Sequence, residues 1–320
     1  MKLLVTGGSS LLGGSLAAAL MARGDDVTVL QRHAAGLPGS EVLVDVADAP
    51  AVSAAVAGQE VVVHLAARVG VVGAWPDFER TNVQGTRAVV EACLRHGVRR
   101  LVHVSSPSVA HAGEPLVGAP AGPADPAAAR GHYARSKAVA ERVALAADGP
   151  GLSVVALRPH LVWGPGDTQL VGRIVEGARA GRLAYVGSGA ALVDTTYLPN
   201  AVDALLAAVA ADVRGEALVV SNGEPRPIAE IVAGICRAAG APEPRRHVPY
   251  AVAKGGGLLV EGLWRALRRD DDPPMTRFLA EQLATAHWFD QRRTRQVLGW
   301  VPRVALDDGL AELGRWYRAG

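Results

Sequence analysis

The N-terminal stretch constrains the fold more than any other part of the chain. Residues 2–6 form a short, mostly apolar run that reads as a strand. It passes directly into Gly7-Gly8-Ser9-Ser10-Leu11-Leu12-Gly13-Gly14 and then a helical pattern over 15–23, stopped by Gly24. A strand, a glycine-rich turn and a helix in that order make the first unit of a parallel sheet, because parallel neighbours need a crossover and a helix supplies it. The turn also has a chemical use. Where glycine removes the Cβ, backbone N–H groups can approach a diphosphate at the positive end of the helix. Gly7, Ser9, Ser10, Leu11, Leu12 and Gly13 are therefore candidate dinucleotide-binding residues. A tight turn without a ligand is the plainer alternative.

The alternation continues along the first half. Strand-like runs at 27–30, 41–44, 61–65, 101–104 and 153–157 are interleaved with helical patterns at 49–57, 81–96 and 133–147. This predicts an α/β, Rossmann-type doubly wound parallel sheet, covered by helices on both faces. A dinucleotide-binding domain is expected over 1–165, with a strand and helix near 195–221 rejoining it. Residues 166–194 and 222–320 are expected to form a smaller, mainly helical substrate-binding lobe. Within it, 240–290 reads as mixed helical with a break at Asp272-Pro273-Pro274. Residues 110–132 are rich in Pro, Gly and Ala and read as one long loop, a segment type that often binds or covers a ligand.

Composition narrows the function classes. With 49% hydrophobic and 20% charged residues over 320 positions, the chain has the makings of a packed core rather than a disordered segment. A net charge of +2 speaks against a nucleic-acid surface. No signal-peptide layout and no bilayer-spanning apolar run is visible, so a cytoplasmic location is expected. Cys93 and Cys236 imply no disulfide framework, and no His/Cys/Asp/Glu spacing suits a metal.

The second strand ends in Leu30-Gln31-Arg32-His33. An acidic residue there would suit the ribose 2′-hydroxyl of NAD. Gln31 and Arg32 instead suit a 2′-phosphate, so NADP(H) is expected, with NAD kept open because Arg32 could equally stack on an adenine. Asp45 and Val46, after the third strand, either hold the adenine or, for Asp45, cap a helix. Tyr133 and Lys137 stand four residues apart at a helix start and share one face. A phenol has a pKa of about 10, and a nearby positive charge is expected to lower it, which makes the pair a candidate general acid/base.

Val5-Thr6-Gly7-Gly8…Gly13, His64-Leu65-Ala66-Ala67, Thr81-Asn82-Val83-Gln84-Gly85-Thr86, Val104-Ser105-Ser106, Tyr133-x-x-x-Lys137 and Leu157-Arg158-Pro159…Trp163-Gly164-Pro165-Gly166 occur in that order. Together they resemble the extended short-chain dehydrogenase/reductase family over essentially the whole chain. Within it the chain is similar to the 3β-hydroxysteroid dehydrogenase group, which includes sterol-4-carboxylate dehydrogenases and the bacterial 2-alkyl-3-oxoalkanoate reductases of olefin biosynthesis. Residues 105–113 and 273–278 look most like the latter. The resemblance implies that Ser106, with Ser105 as its neighbouring candidate, hydrogen-bonds the substrate oxygen. It makes Tyr133 the proton donor, and Lys137 the group that lowers the phenol pKa and holds the nicotinamide ribose. Asn82, Leu65, Ala66 and Ala67 would lie along the cofactor, and Pro159, Leu161 and Val162 beside the nicotinamide. Ser108, His111 and His160 would face the substrate, and Tyr197 would either border it or, with Asp194, join the two lobes. Ser10 replaces a glycine of the family turn, which bears on cofactor affinity.

The implied activity is NADP(H)-dependent interconversion of a secondary alcohol and a ketone. The substrate would be hydrophobic, a 2-alkyl-3-oxoalkanoate or 3-hydroxy acid or a sterol-like molecule. The resemblance further implies a homodimer, and association with pathway enzymes stays open. Arg245, Arg246 and Arg292 keep a nucleotide-sugar epimerase or dehydratase open, and a non-catalytic dinucleotide sensor is the reading from another class. Val252, Leu258, Leu259, Leu263, Trp264, Leu267, Phe278 and Leu279 would form an apolar cap, an ordinary core or a partner face.

Overall fold

The N-terminal strand sits inside the main sheet, not at its edge. The computed structural model describes residues 1–37, 39–70, 72–111, 113–267, 273 and 276–319, without the side chains of Arg265 and Phe278. In chain order the strands are β1 (Lys2–Thr6), β2 (Asp26–Gln31), β3 (Ser40–Leu43), β4 (Val61–His64), β5 (Arg100–Val104), β6 (Leu116–Ala119), β7 (Ser153–Pro159), β8 (Val162–Trp163), β9 (Tyr185–Val186), β10 (Leu192–Val193), β11 (Thr196–Tyr197), β12 (Glu216–Val220), β13 (Arg226–Pro227), β14 (His247–Val248) and β15 (His287–Phe289). The helices are α1 (Leu11–Ala22), α2 (Ala49–Val56), α3 (Trp75–Phe78), α4 (Gly85–His96), α5 (Gly131–Ala146), α6 (Val171–Arg179), α7 (Leu198–Ala210), α8 (Ile228–Ala238), α9 (Tyr250–Ala266), α10 (Arg277–Ala284), α11 (Arg292–Leu298) and α12 (Leu306–Ala319).

Seven strands pair in parallel in the order β12-β7-β5-β4-β1-β2-β3. The chain runs outward in one direction from β1 and in the other from β4, so the switch point lies between them, and open α/β sheets bind ligands outside the strand ends there. Side chains alternate between the two faces. Leu3, Val5, Val61, Val63, Val102 and Leu157 pack with Leu16 and Leu20 of α1 and Val202 and Leu205 of α7. Leu4, Val62, Leu101 and Val154 pack on the other face with Val52 of α2 and Val89 and Cys93 of α4. Both faces are covered, which is why these strands read as unbroken apolar runs.

Three elements differ from the sequence expectations. Helix α1 starts at Leu11, not at 15, because the Ser10 hydroxyl caps it by accepting the Gly13 N–H at 3.1 Å. The glycines that delayed the expected start are poor helix formers, yet here the cap carries the helix across them. The segment 110–132 is not all loop. Its β6 pairs with β15 and joins a four-stranded sheet, β13-β10-β15-β6. That partner lies far along the chain, so no local pattern announces the strand. Finally, the helix expected from 81 opens with a π-helical turn over Glu79–Gln84 and becomes α-helical only at Gly85.

A separate core packs Trp163 and Tyr197, from segments expected in the dinucleotide-binding domain, with Ile231, Ile235, Leu306 and Leu313. On α9, Val252, Leu258, Leu259 and Leu263 are exposed, as are Leu267 just after it and Leu279 on α10. Of the expected Pro-rich break, 272 and 274 lie outside the described residues, as does 275. No helix among the described residues is long and apolar enough to cross a membrane.

Candidate active site

The glycine turn is built by close backbone approaches. A Cβ on Gly7, whose φ is +81°, would stand 2.8 Å from the Ala66 nitrogen. One on Gly13 would meet the Gly7 carbonyl at 2.3 Å. Ser10 needs no such freedom. Its φ of −79° and ψ of 153° suit any residue, and its hydroxyl donates to the Gly7 carbonyl at 2.8 Å while capping α1. The serine therefore turns inward and stiffens the turn. With the Gly13 N–H taken by the cap, the Leu11 and Leu12 N–H groups are orphan donors of the first helical turn, suited to an anion. This arrangement fits a dinucleotide diphosphate. Ser9 is exposed beside it, and Ala66 lies over Gly7 with its N–H on Thr6 Oγ1 at 3.1 Å. Leu65 N–H donates to the Thr6 carbonyl at 3.2 Å.

Around the expected adenosine end, Gln31 is buried and its amide donates to Glu41 Oε1 at 2.9 Å. The same oxygen accepts the Ala35 and Leu37 N–H groups at 3.2 and 3.4 Å. Arg32 is exposed next to this knot. Asp45 accepts the Ala47 N–H and pairs with Arg80 at 3.0 Å, while Asp48 caps α2. Val46 is buried against Gly85, where an added Cβ would meet its Cγ1 at 2.7 Å.

At the C-terminal end of β5 the structure brings Ser106, Ser108, Tyr133 and Lys137 into one cluster. The Ser106 and Ser108 hydroxyls are 2.9 Å apart, and Ser106 stands near enough to the Tyr133 phenol to favour its ionised form. Ser105 is the different case. Its hydroxyl is buried without a partner among the described residues, and its backbone N–H is held by the Leu157 carbonyl at 2.6 Å. Lys137 is buried, and its Nζ donates to the Val104 carbonyl at 2.7 Å. Burial pushes its pKa from 10.5 to about 8, against a smaller opposing pull from Glu141. The Tyr133 pKa corrects an expectation from the sequence. Burial raises it, and the opposing influence is the nearby Ser106 hydroxyl rather than the Lys137 charge. Desolvation of the phenolate outweighs its partner here.

The remaining candidates divide. Asn82 is buried, donates to the Arg68 carbonyl and Ser136 Oγ at 3.1 and 2.8 Å, and accepts the Arg68 N–H at 2.7 Å, so its amide is already committed. Leu161, between Pro159 and Val162, has φ +43°, a strained value for leucine and the kind that clusters at functional sites. His111 is buried at the end of the short helical turn that Ser106 caps, its Nδ1 without a partner among the described residues. His160 lies in a buried knot, with Nδ1 2.8 Å from Asp194 and Nε2 3.2 Å from His287. Tyr197, expected either at the substrate or between the lobes, is packed against Trp163 and Gly309, its hydroxyl donating to Glu312 at 2.5 Å. Arg292, weighed as a diphosphate ligand, is bound by Asp290 at 2.6 Å. No group of three or more His, Cys, Asp or Glu among the described residues could hold a metal.

Two arrangements carry no role in the sequence reading. Arg158 is buried in β7 and paired with Glu141 of the Tyr133 helix. The signal for it was a charge inside an apolar strand. His64 bridges Thr6 and Thr86, and nothing local distinguishes it from a plain core histidine.

Residues 4–249 match the 3-beta hydroxysteroid dehydrogenase/isomerase family. A 2-alkyl-3-oxoalkanoate reductase of Stenotrophomonas maltophilia (strain K279a) is 43% identical over 98% of each chain. The human sterol-4-alpha-carboxylate 3-dehydrogenase, decarboxylating, is 30% identical over 98% of this chain and 87% of that one. Among solved structures, MoeE5 in complex with UDP-glucuronic acid and NAD superposes with a TM-score of 0.76 at 27% identity, covering 100% of this chain and 99% of that one.

Proposed function

The chain belongs to the 3-beta hydroxysteroid dehydrogenase/isomerase family, and from that premise we propose that it reduces the ketone of a hydrophobic 3-oxo acid, in the 2-alkyl-3-oxoalkanoate class, with NADPH. It is a dinucleotide-dependent oxidoreductase of CH–OH groups with a Rossmann-type fold. Ketone reduction is carried by one observation, the Ser106 and Ser108 hydroxyls 2.9 Å apart beside the helix of Tyr133 and the buried Lys137, and the substrate class is supported by the 43% identical 2-alkyl-3-oxoalkanoate reductase. When bound, the nicotinamide supplies the hydride to the carbonyl carbon. Ser106 donates a hydrogen bond to the carbonyl oxygen, and Tyr133 passes its proton to that oxygen as it becomes an alkoxide. Burial keeps the phenol protonated, the form that reduction consumes. Lys137 then balances the phenolate left behind. The exposed Arg32 favours a 2′-phosphate, and the nearby Glu41 carboxylate is already engaged by three N–H groups.

A panel of 3-oxo acids, sterols and nucleotide sugars with both cofactors tests this. Oxidation of NADPH with 3-oxo acids is the expected result, with NADPH binding about tenfold tighter than NADH by fluorescence titration. Turnover of a nucleotide sugar alone would replace the substrate reading, and equal affinities would remove the NADP(H) reading.

Lys137 gives the reaction a pH dependence. The folded chain loses this proton near 8 and the unfolded chain near 10.5. Below about 8 both states are protonated and the burial cost is fully present. Between 8 and 10.5 the unfolded state binds more protons, so stability from this group rises with pH. Activity should move the other way, falling as pH passes about 8 and the ammonium is lost. A pH–rate profile of Lys137→Arg, whose guanidinium does not titrate in this range, is expected to lack that limb.

A further inference from the structure

A line of hydrogen bonds runs from the cofactor turn to the catalytic helix, and its directions are set by chemistry. Thr6, the residue before Gly7, accepts the Ala66 N–H on its hydroxyl oxygen at 3.1 Å. Its own proton is then available to His64 Nδ1, 2.7 Å away. At the other side of the ring, Thr86 Oγ1 donates to the Asn82 carbonyl at 2.7 Å. Its proton is spent, so it must accept from His64 Nε2, 3.0 Å away. Both ring nitrogens are thus used, and only the neutral Nε2–H tautomer satisfies both partners. Burial supports this, together with the facing Lys137 charge, by holding the His64 pKa at about 3. His103 is the other titratable group against it, with ring centroids 5.4 Å apart. From Asn82 the line continues through its side-chain amide to Ser136 Oγ at 2.8 Å, and from Ser136 to the Tyr133 carbonyl at 2.8 Å.

We propose that His64 is a positioning residue, a rigid two-ended spacer that ties the end of β1 to the π-helical turn at Glu79–Gln84 and, through Asn82 and Ser136, sets the height of Tyr133 against the cofactor turn. It touches neither substrate nor cofactor. Helix α5 has no side-chain N-cap bond, so the Asn82–Ser136 bond is a tether on its first turns. A π turn is an energetically poor element, and the Thr86-to-Asn82 bond that His64 supports spans its end.

Two near-isosteric variants separate the two ends. In His64→Gln the amide nitrogen stands near the Nε2 position and keeps the donor to Thr86, while the acceptor for Thr6 is lost. In His64→Asn the amide oxygen stands near the Nδ1 position and keeps the acceptor for Thr6, while the link to Thr86 is lost. The expected result is a crossed pattern. Glutamine weakens cofactor binding severalfold and leaves kcat within about threefold, whereas asparagine leaves cofactor affinity and lowers kcat about tenfold, the scale of a sub-ångström misplacement. Thr86→Val should reproduce the asparagine effect and add nothing to it in the double variant. A merely structural histidine would lower the melting temperature in both variants without crossing the two readouts. Equal losses in both variants, or additivity with Thr86→Val, would overturn the proposal. If no ketone is turned over, the failure belongs to the proposed reduction, and two arms still decide. One is cofactor affinity. The other is the imidazole ¹⁵N spectrum, where a neutral Nε2–H pattern unchanged from about pH 5 to about pH 9 is expected. An Nδ1–H tautomer or a titration in that range sinks the inference.

Discussion

Tyr133→Phe is expected to lower kcat for ketone reduction about a thousandfold while leaving cofactor affinity unchanged. General acid catalysis contributes about 10²- to 10⁴-fold, and a thousandfold loss corresponds to about 4 kcal/mol of transition-state stabilisation. The substitution removes one oxygen. The ring stays in place, and the Tyr133 carbonyl that Ser136 holds at 2.8 Å is backbone, so helix α5 keeps its tether. Lys137 keeps its bond to the Val104 carbonyl. What disappears is the proposed proton source, while Ser106 keeps its bond to Ser108. Single-turnover kinetics with a 3-oxo acid, beside a fluorescence titration of NADPH, measure the two quantities separately. A variant that turns over at the parent rate would mean that protonation comes from elsewhere, and the mechanism would have to be abandoned.

The second large effect is on stability. Arg158→Ala is expected to cost about 3–5 kcal/mol, because it strands the buried carboxylate of Glu141. Arg158 donates through Nε to Glu141 Oε2 at 2.8 Å and through one terminal nitrogen to Oε1 at 2.5 Å. Its guanidinium also holds the Ala121 and Gly122 carbonyls, so one side chain joins β7, the Tyr133 helix and the segment between Ser106 and Tyr133. Lysine is not expected to rescue it, since an ammonium lacks the planar fork that satisfies a carboxylate and two carbonyls together. An apolar pair, Arg158→Met with Glu141→Leu, should recover much of the lost stability while leaving the 121–122 segment untied. Urea unfolding reads the first effect and the KM for the ketone reads the second. A loss below about 1 kcal/mol in Arg158→Ala would show that the carboxylate finds water instead.

Much of the fold was legible because it is written in local patterns. Val61-Val62-Val63 is buried on both faces and reads as a covered strand, and the helical pattern over 81–96 ends where α4 does, before Gly97 at φ +67°. The missing parts are those whose partners lie far away in sequence. β6 exists only through β15, and no pattern within residues 116–119 reveals that pairing. At the π turn, Asn82 and Thr86 bond to Arg68 and His64, which lie on other segments. At the site, the spacing of Tyr133 and Lys137 points to a candidate general acid/base, and Ser106 and Ser105 stand side by side as candidates for the neighbouring hydroxyl. Their geometry differs in space, since Ser106 stands near the phenol and Ser105 is turned into the protein. The phenol pKa moves up, against the sequence expectation, because a charge four residues away is visible in the sequence and desolvation is not.

The sequence by itself determined the parallel α/β architecture, the glycine turn at Gly7 and the candidate reacting side chains, since periodicity and motif spacing are properties of neighbouring residues. The tertiary structure decided what those side chains are tied to and how they titrate: Ser10 as an inward cap, Tyr197 as a core residue, Arg158 as a clamp, and Lys137 pushed down to about 8. Burial and hydrogen-bond partners come from segments brought together only by folding, and both set the free energy of a charge more strongly than the residues beside it in the chain.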